Sequence, residues 1–341
     1  MSGPPLGVLS TGLVTSVGLS AAASCAAVRA KLSNPTETRF INSLGDWIVA
    51  HSVPLELRCR GRAKLVKMAA LAINECLQVV PRGDWNQIPL LLCVAERERP
   101  GRHAGIEEEL FADIQRDLGE NFAETSLIVP HGRVSVSVAL VRARKILEVT
   151  RAPYALIVAT DSLLTWQTLT ALEREGRLLR ADNSNGFIPG EGAGALLVGP
   201  TGAGKLLACT GLGFATEPST VSSDRPLRAD GLSKAIKSAI ADAGCSAQDL
   251  DFRITDLAGE QYYFKEAALA FSRSVRIQKQ EFAIWHPAEC IGESGATSGL
   301  AAIVIADDAT RRGYAPGPNV LCHAAADSGQ RAASVFQFGG S

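Results

Sequence analysis

No charge of either sign predominates in this 341-residue sequence: 34 basic side chains stand against 35 acidic ones, for a net charge of −1. A nucleic-acid or anionic-membrane partner would call for a basic excess, so neither is expected. No C-x-x-C pair occurs among the eight cysteines, which removes the usual zinc and thioredoxin-type spacings. Several cysteines sit inside apolar runs, as Cys93 does in Pro-Leu-Leu-Leu-Cys-Val, and read as small buried hydrophobes kept reduced in a cytosolic protein. No apolar run approaches the ~18 residues that span a bilayer. Nor does the N-terminus show a basic region followed by an apolar core and a cleavage site. The expectation is a cytoplasmic protein without membrane segments, metal or cofactor.

What is present is core material. Hydrophobic residues make up 46% and charged residues 20% of the chain, a globular balance. Short basic clusters at Arg58–Arg62 and Arg97–Arg102 are interrupted by other residues and read as solvated surface. Strand and helix signals alternate. Leu6–Val14 reads as a buried strand, Ser20–Leu32 and Ala63–Val80 as helices, and Ile88–Val94 as a strand buried on both faces. Helical patterns at 105–118 and 135–149 flank strands at 126–129 and 154–160. The order restarts with a strand from Lys205, helices at 231–243 and 260–272, and closing strands at Val320–Ala325 and Ala332–Phe336. This alternation predicts an α/β layer structure with a largely parallel sheet. Two halves are expected, 1–203 and 204–341, with the joint in the Gly-rich stretch 199–204. The Gly-x-Gly there precedes a strand instead of linking a strand to a helix, which argues against a phosphate loop.

The most specific segment is Gly186-Phe-Ile-Pro-Gly-Glu-Gly-Ala-Gly, in which Gly186, Gly190, Gly192 and Gly194 punctuate the approach to an apolar strand. It closely resembles the Gly-Phe-x-x-Gly-Glu-Gly-Ala-Gly signature of β-ketoacyl synthases, with Phe187 and Glu191 at matching places. The Arg-Asp pair that usually precedes that signature is Ser184-Asn185 here. Thr11-Gly-Leu-Val-Thr-Ser-Val-Gly resembles the first strand and turn of the family. Tyr154-Ala-Leu-Ile-Val-Ala-Thr-Asp-Ser resembles the strand after its nucleophile helix. Ile291-Gly-Glu-Ser-Gly-Ala-Thr-Ser-Gly matches more faintly. Ser334-Val-Phe-Gln-Phe-Gly-Gly-Ser, with Phe338, Gly339 and Gly340, resembles the closing loop.

The resemblance implies a thiolase fold, five-layered α-β-α-β-α, built from two pseudo-repeated halves and usually found as a homodimer. It also implies chemistry by a cysteine at a helix N-terminus, two histidines and a lysine. Those residues are not found where the resemblance puts them. The nucleophile falls on Ser135, or with a small insertion on Gly132 or Arg133, and 127–140 contains no cysteine. A serine hydroxyl needs an adjacent base to act as nucleophile, and Ser135 reads first as a helix N-cap. Ala258 takes the first histidine's place and Glu293 the second's, and no lysine follows Lys279. His131, Arg133, His286, Cys290, Glu293 and His323 are the polar residues that the fold could bring towards the cleft, together with Ser135 and Phe338.

The expected function is therefore that of a catalytically inactive synthase-like protein, acting by binding or as a scaffold. An accessory role in type VI secretion effector loading is one version, with a carrier protein or secreted effector as partner. The alternatives are a chain-length-factor-like partner of an active ketosynthase, and an acyltransferase or thioester hydrolase using Ser135 or Cys290.

Overall fold

The computed structural model describes residues 3–55, 59–202, 204–274 and 282–339. Arg58 of the first basic cluster, Ala203 in the expected joint and Gly340 lie outside these residues.

The first half runs β1 (Leu6–Val14), α1 (Ala21–Arg29), β2 (Thr36–Ile41), β3 (Trp47–Ala50), α2 (Gly61–Cys76), β4 (Leu90–Cys93), α3 (Leu110–Leu118) and β5 (Leu127–Val129). It continues with α4 (Ser135–Thr150), β6 (Ala155–Ser162), α5 (Trp166–Arg174) and β7 (Glu191–Pro200). The second half runs β8 (Leu206–Thr216), α6 (Asp230–Asp242), β9 (Phe252–Thr255), α7 (Gln261–Ser274), β10 (Ala283–Trp285), α8 (Ala288–Ile291), α9 (Ala296–Arg311), β11 (Asn319–Ala325) and β12 (Gln330–Gly339).

The sheet order carries the duplication that the sequence only suggested. Five strands of the first half lie in the order β1-β7-β6-β4-β5, and five of the second in the order β8-β12-β11-β9-β10. The permutation is the same, and so are the directions. β1 and β7, and β7 and β6, run antiparallel, whereas β6, β4 and β5 are parallel. The second half repeats this with β8, β12, β11, β9 and β10. A short antiparallel contact of β1 with β8, at Leu6–Gly7 and Ala208–Cys209, joins the two sheets.

Alternation along the strands sorts their side chains into layers. Leu91, Cys93, Ile157 and Ala159 of the first half, with Phe252, Ile254, Val320 and Cys322 of the second, face a shared central core. That core contains the buried faces of α4 (Val136, Leu140) and α9 (Leu300, Ile303). Leu90, Leu92, Leu156 and Val158 point the other way, onto α2 and α3. Leu321, Ala333 and Val335 point onto α6 and α7. The result is the expected five-layered α-β-α-β-α arrangement. Glycines allow the outer helices to approach. A Cβ on Gly12 of β1 would collide with the Ala72 carbonyl on α2, and one on Gly213 of β8 with the Ala235 carbonyl on α6.

One expectation fails here. Ser334–Gly339 is not a closing loop but the second half of β12, paired with β8 as far as Gly339↔Leu206. Alternating Ala332, Ser334 and Phe336 on one face and Ala333 and Val335 on the other extend the strand past the motif-like letters. The turn between the last two strands is Ala326-Asp-Ser-Gly329, closed by Gly329 at φ +94°.

Candidate active site cleft

Four parallel strands, β4 and β6 in one half and β9 and β11 in the other, end where α4 and α9 begin. Each brings a carboxylate to its C-terminal end. Glu96 follows β4, Asp161 stands at the end of β6, Asp256 directly follows β9, and Asp327 follows β11. A cavity of about 360 Å³ opens there, with Glu96, Arg99, Arg133, Arg177, Glu293 and Asp327 among its polar walls.

Three buried arginines tie these acids together. Arg99 bonds Glu96 through Nε (2.9 Å) and Nη2 (2.6 Å), and Asp161 through Nη1 (2.7 Å). Arg177 grips Glu260 with Nε (2.8 Å) and Nη2 (3.0 Å), and Asp327 with Nη1 (2.7 Å). Arg133 donates through Nη2 to Asp327 and to the Tyr263 hydroxyl (2.9 Å), and lies over the Tyr263 ring. Its Nη1 stands 3.6 Å from Glu293 and 3.9 Å from Asp256.

The electrostatics follow from burial and from acids outnumbering bases. Burial pushes the Glu293 carboxyl up to about 7; Arg133 opposes the rise and Asp256 adds to it. Asp256 is raised by burial as well. Burial would raise Asp327 too, but Arg133 and Arg177 outweigh it and hold this carboxylate well below the usual range.

The two central helices meet this network at their positive ends. At α9, the Ala296 N–H donates to Asp161 Oδ2 (2.8 Å) and the Gly295 N–H to Glu293 Oε1 (2.8 Å). At α4, Gly132 has φ +52°, and a side chain there would run into the Glu96 carboxylate. The capping reading of Ser135 fails: the N-cap of α4 is Val134, and Ser135, the first helical residue, instead accepts a hydrogen bond from the His131 N–H (3.0 Å) upstream of the helix. Of the expected loop, Glu191, Gly192 and Gly194 belong to β7; the segment before it positions Glu293 through its backbone, with Gly190 N–H donating to the Glu293 carbonyl (2.7 Å) and Glu293 N–H to that of Ile188 (2.9 Å). Glu191 points elsewhere, accepting from Ser52, the Val53 N–H and Ser162, and pairing with Lys64.

Of the residues singled out from the sequence, Arg133, Glu293 and Phe187 line the cavity. Ser135 and His131 are not among its walls. Ala258 packs beside Leu178 and Phe187. The residue that stands with Glu293 around Arg133 is Asp256, two positions earlier. His286 and Cys290 belong to a different pocket of about 180 Å³, with Trp285 and Tyr314. There His286 Nε2 pairs with Glu289, and burial pushes the Cys290 thiol up, away from thiolate. His323 is on the face of β11 that looks away from the central core. Burial first, then Arg253 and Arg331, push it down to about 3, so it is neutral. Phe338 and Gly339 lie in β12. The Arg97–Arg102 cluster is only partly solvated: Arg97 is exposed, but the Arg99 side chain is 8% exposed and sits in the middle of the site.

Glu96, Arg99, Asp161, Arg177, Asp256 and Asp327 were not foreseen. A charged residue just beyond an apolar strand, as in Ile254-Thr-Asp256 or Ala325-Ala-Asp327, is the local signal that could have found two of them.

No protein-family model matches the sequence, and no curated protein matches it. Solved structures do. The chain superposes on the ishigamide ketosynthase/chain length factor with a TM-score of 0.78 at 18% identity, covering 99% of this chain and 100% of that one. It superposes on a chain of the ketosynthase ApeO in complex with its chain length factor ApeC, from Xenorhabdus doucetiae, with a TM-score of 0.78 at 12% identity, covering 98% of each. The ketosynthase from module 6 of the bacillaene synthase of Bacillus subtilis 168 gives 0.78 at 12% identity, with 99% of this chain and 72% of that one covered. The fold is thus that of ketosynthases and chain length factors, the thiolase fold.

Proposed function

We propose that this chain, which has the fold of ketosynthases and chain length factors, is a non-condensing subunit that works by binding another protein, in the manner of a chain length factor beside a ketosynthase. The observation that carries this reading is the occupation of the α9 start by resident carboxylates, with a further acid beside the approach to α4. Condensation develops negative charge on a thiolate and then on an enolate, and helix N-termini and neutral or cationic donors stabilise such charge. Here the N–H groups of Gly295 and Ala296 are already bonded to Glu293 and Asp161, and the Glu96 carboxylate lies against Gly132 in the turn before α4. Among the described residues no cysteine lines the cavity.

Two measurements test this. Affinity capture of the tagged chain from its native host should yield a second ketosynthase-fold protein or an acyl carrier protein in stoichiometric amount. A secreted effector in that place would support the type VI version of the scaffold reading. Recovery of the chain alone, as a homodimer, would remove the partner-subunit role. Intact mass after incubation with acyl thioesters should show no adduct. A covalent acyl group lost in Ser135→Ala or Cys290→Ala would replace the proposal with an acyltransferase or hydrolase.

A further inference from the structure

We propose that the pocket between α1, β10, α8 and α9 is a second binding site, for a small aromatic carboxylate, its ring against Trp285 and Tyr314 and its charge against Arg29. The pocket shares no wall residue with the cleft, so the proposal stands apart from the partner-subunit reading.

The walls set the size and shape of the ligand. The volume is about 180 Å³, and Val28, Trp285, Pro287 and Ile305 supply apolar surface. A cavity of about 150 Å³ with apolar walls holds benzene, so this space matches a single ring with one small substituent. The aromatic walls are fixed from behind. Trp285 packs on Phe252, with ring centres 4.9 Å apart, and lies 6.2 Å from the Tyr314 ring at an interplanar angle of 24°. The Tyr314 hydroxyl donates to Asp308 Oδ2 (2.8 Å). A planar ligand therefore meets preset ring faces and loses little in ordering them.

Charge selects the head group. Arg29, in the last turn of α1, holds its guanidinium carbon 4.3 Å from the centre of the Tyr314 ring. Among the described residues no carboxylate pairs with it. Asp308, which shares a neighbouring groove with Arg29, has one oxygen bonded by Arg312 Nε (2.6 Å) and the other by the Tyr314 hydroxyl. Glu289, the acid in the pocket wall, is held by Lys31 Nζ (3.0 Å) and by His286 Nε2. Burial keeps His286 below its ordinary 6.5 against the pull of Glu289, so near neutral pH this ring is uncharged. Burial likewise keeps the Cys290 thiol protonated, so it adds no negative charge. Two cations and one anion thus line the pocket, and Arg29 is the charge left over. A cationic ligand would be repelled by that excess. A carboxylate answers it, in the forked geometry that a guanidinium group favours.

Calorimetric titration with sodium benzoate, benzylammonium chloride, benzyl alcohol and sodium acetate tests the assignment. Benzoate should bind at least about tenfold more tightly than each of the other three. Against the first two controls that is the difference expected of one charge-assisted hydrogen bond, and against acetate that of one buried ring. Arg29 is exposed, so Arg29→Gln should fold normally; it should weaken benzoate about tenfold and bring it level with benzyl alcohol. Val28→Phe, which fills the space from α1, should abolish binding. Benzylammonium binding as tightly as benzoate, a benzoate affinity unchanged by Arg29→Gln, or no binding of benzoate would overturn the assignment. If Val28→Phe does not fold, Arg29→Gln decides. Neither residue lines the cleft, so a failed ligand leaves the partner-subunit reading standing, and a failed partner capture leaves this site standing.

Discussion

Helices α4 and α9 hold equivalent places in the two halves, each between the third and fourth sheet strands of its repeat, yet their N-termini are treated differently. At α9 the first N–H groups are bonded to two buried carboxylates, Asp161 and Glu293, and Arg99 and Arg133 stand behind them. At α4 a neutral hydroxyl, Ser135, ties the turn to the His131 N–H, and the acid Glu96 approaches only from the side at Gly132. The difference teaches that a duplicated scaffold conserves packing more readily than electrostatics. Central-layer positions are apolar in both halves, but charge has concentrated at one helix end.

That contrast can be broken most severely at Arg133. Arg133→Ala leaves Glu293, Asp256 and Asp327 without their shared cation and should cost about 3–5 kcal/mol in urea unfolding. Removing both Arg133 and Glu293 should cost less than the sum of the single changes, since the pair shares one network.

A smaller effect is expected from pH. Folding raises Glu293 from its ordinary 4.5 to about 7, so the folded state holds the proton more tightly than the unfolded one. Its contribution to stability is complete below pH 4.5 and is lost as pH rises through 7, on the order of 2–3 kcal/mol. Glu293→Gln should flatten this part of the stability curve. Asp327 behaves in the opposite sense: its depressed value contributes above the ordinary 3.8 and is lost as pH falls below it, so the two windows separate.

The comparison sharpens with paired variants at the two helix starts. Asp161→Asn at α9 should destabilise by about 2–3 kcal/mol, because Arg99 and the Ala296 N–H both lose a charged acceptor. Ser135→Ala at α4, which loses one neutral hydrogen bond with the His131 N–H, should cost only about 0.5–1.5 kcal/mol. Equal effects would remove the asymmetry. The smallest change belongs far from both ends. Lys31 and Glu289 form an ion pair with side chains 69% and 44% exposed, and Lys31→Ala should alter stability by less than about 1 kcal/mol.

Much of the scaffold was legible locally. Leu90–Cys93 and Ala155–Ser162 announce strands buried on both faces, and the glycines of 186–194 announce close backbone approach. Gly259 is a packing glycine. A Cβ there would collide with the Gly186 carbonyl. The closing segment misled: the letters around Phe338 resemble a loop, whereas Gln330–Gly339 pairs with β8 along its length, with one register shift between Val335 and Phe336.

The sequence by itself determined the alternation of strands and helices, the apolar central helices and the glycines that let layers touch, because these depend on neighbours a few residues away. It also determined that 127–140 has no cysteine to offer. Only the tertiary structure decided what fills the cleft. Arg99 meets Asp161 across 62 residues, Arg177 meets Asp327 across 150, and Arg133 meets the same carboxylate across 194. No local spacing encodes such pairs. They exist because four strand ends and two helix starts converge on one point, where a buried charge must find a partner or give up its ionisation.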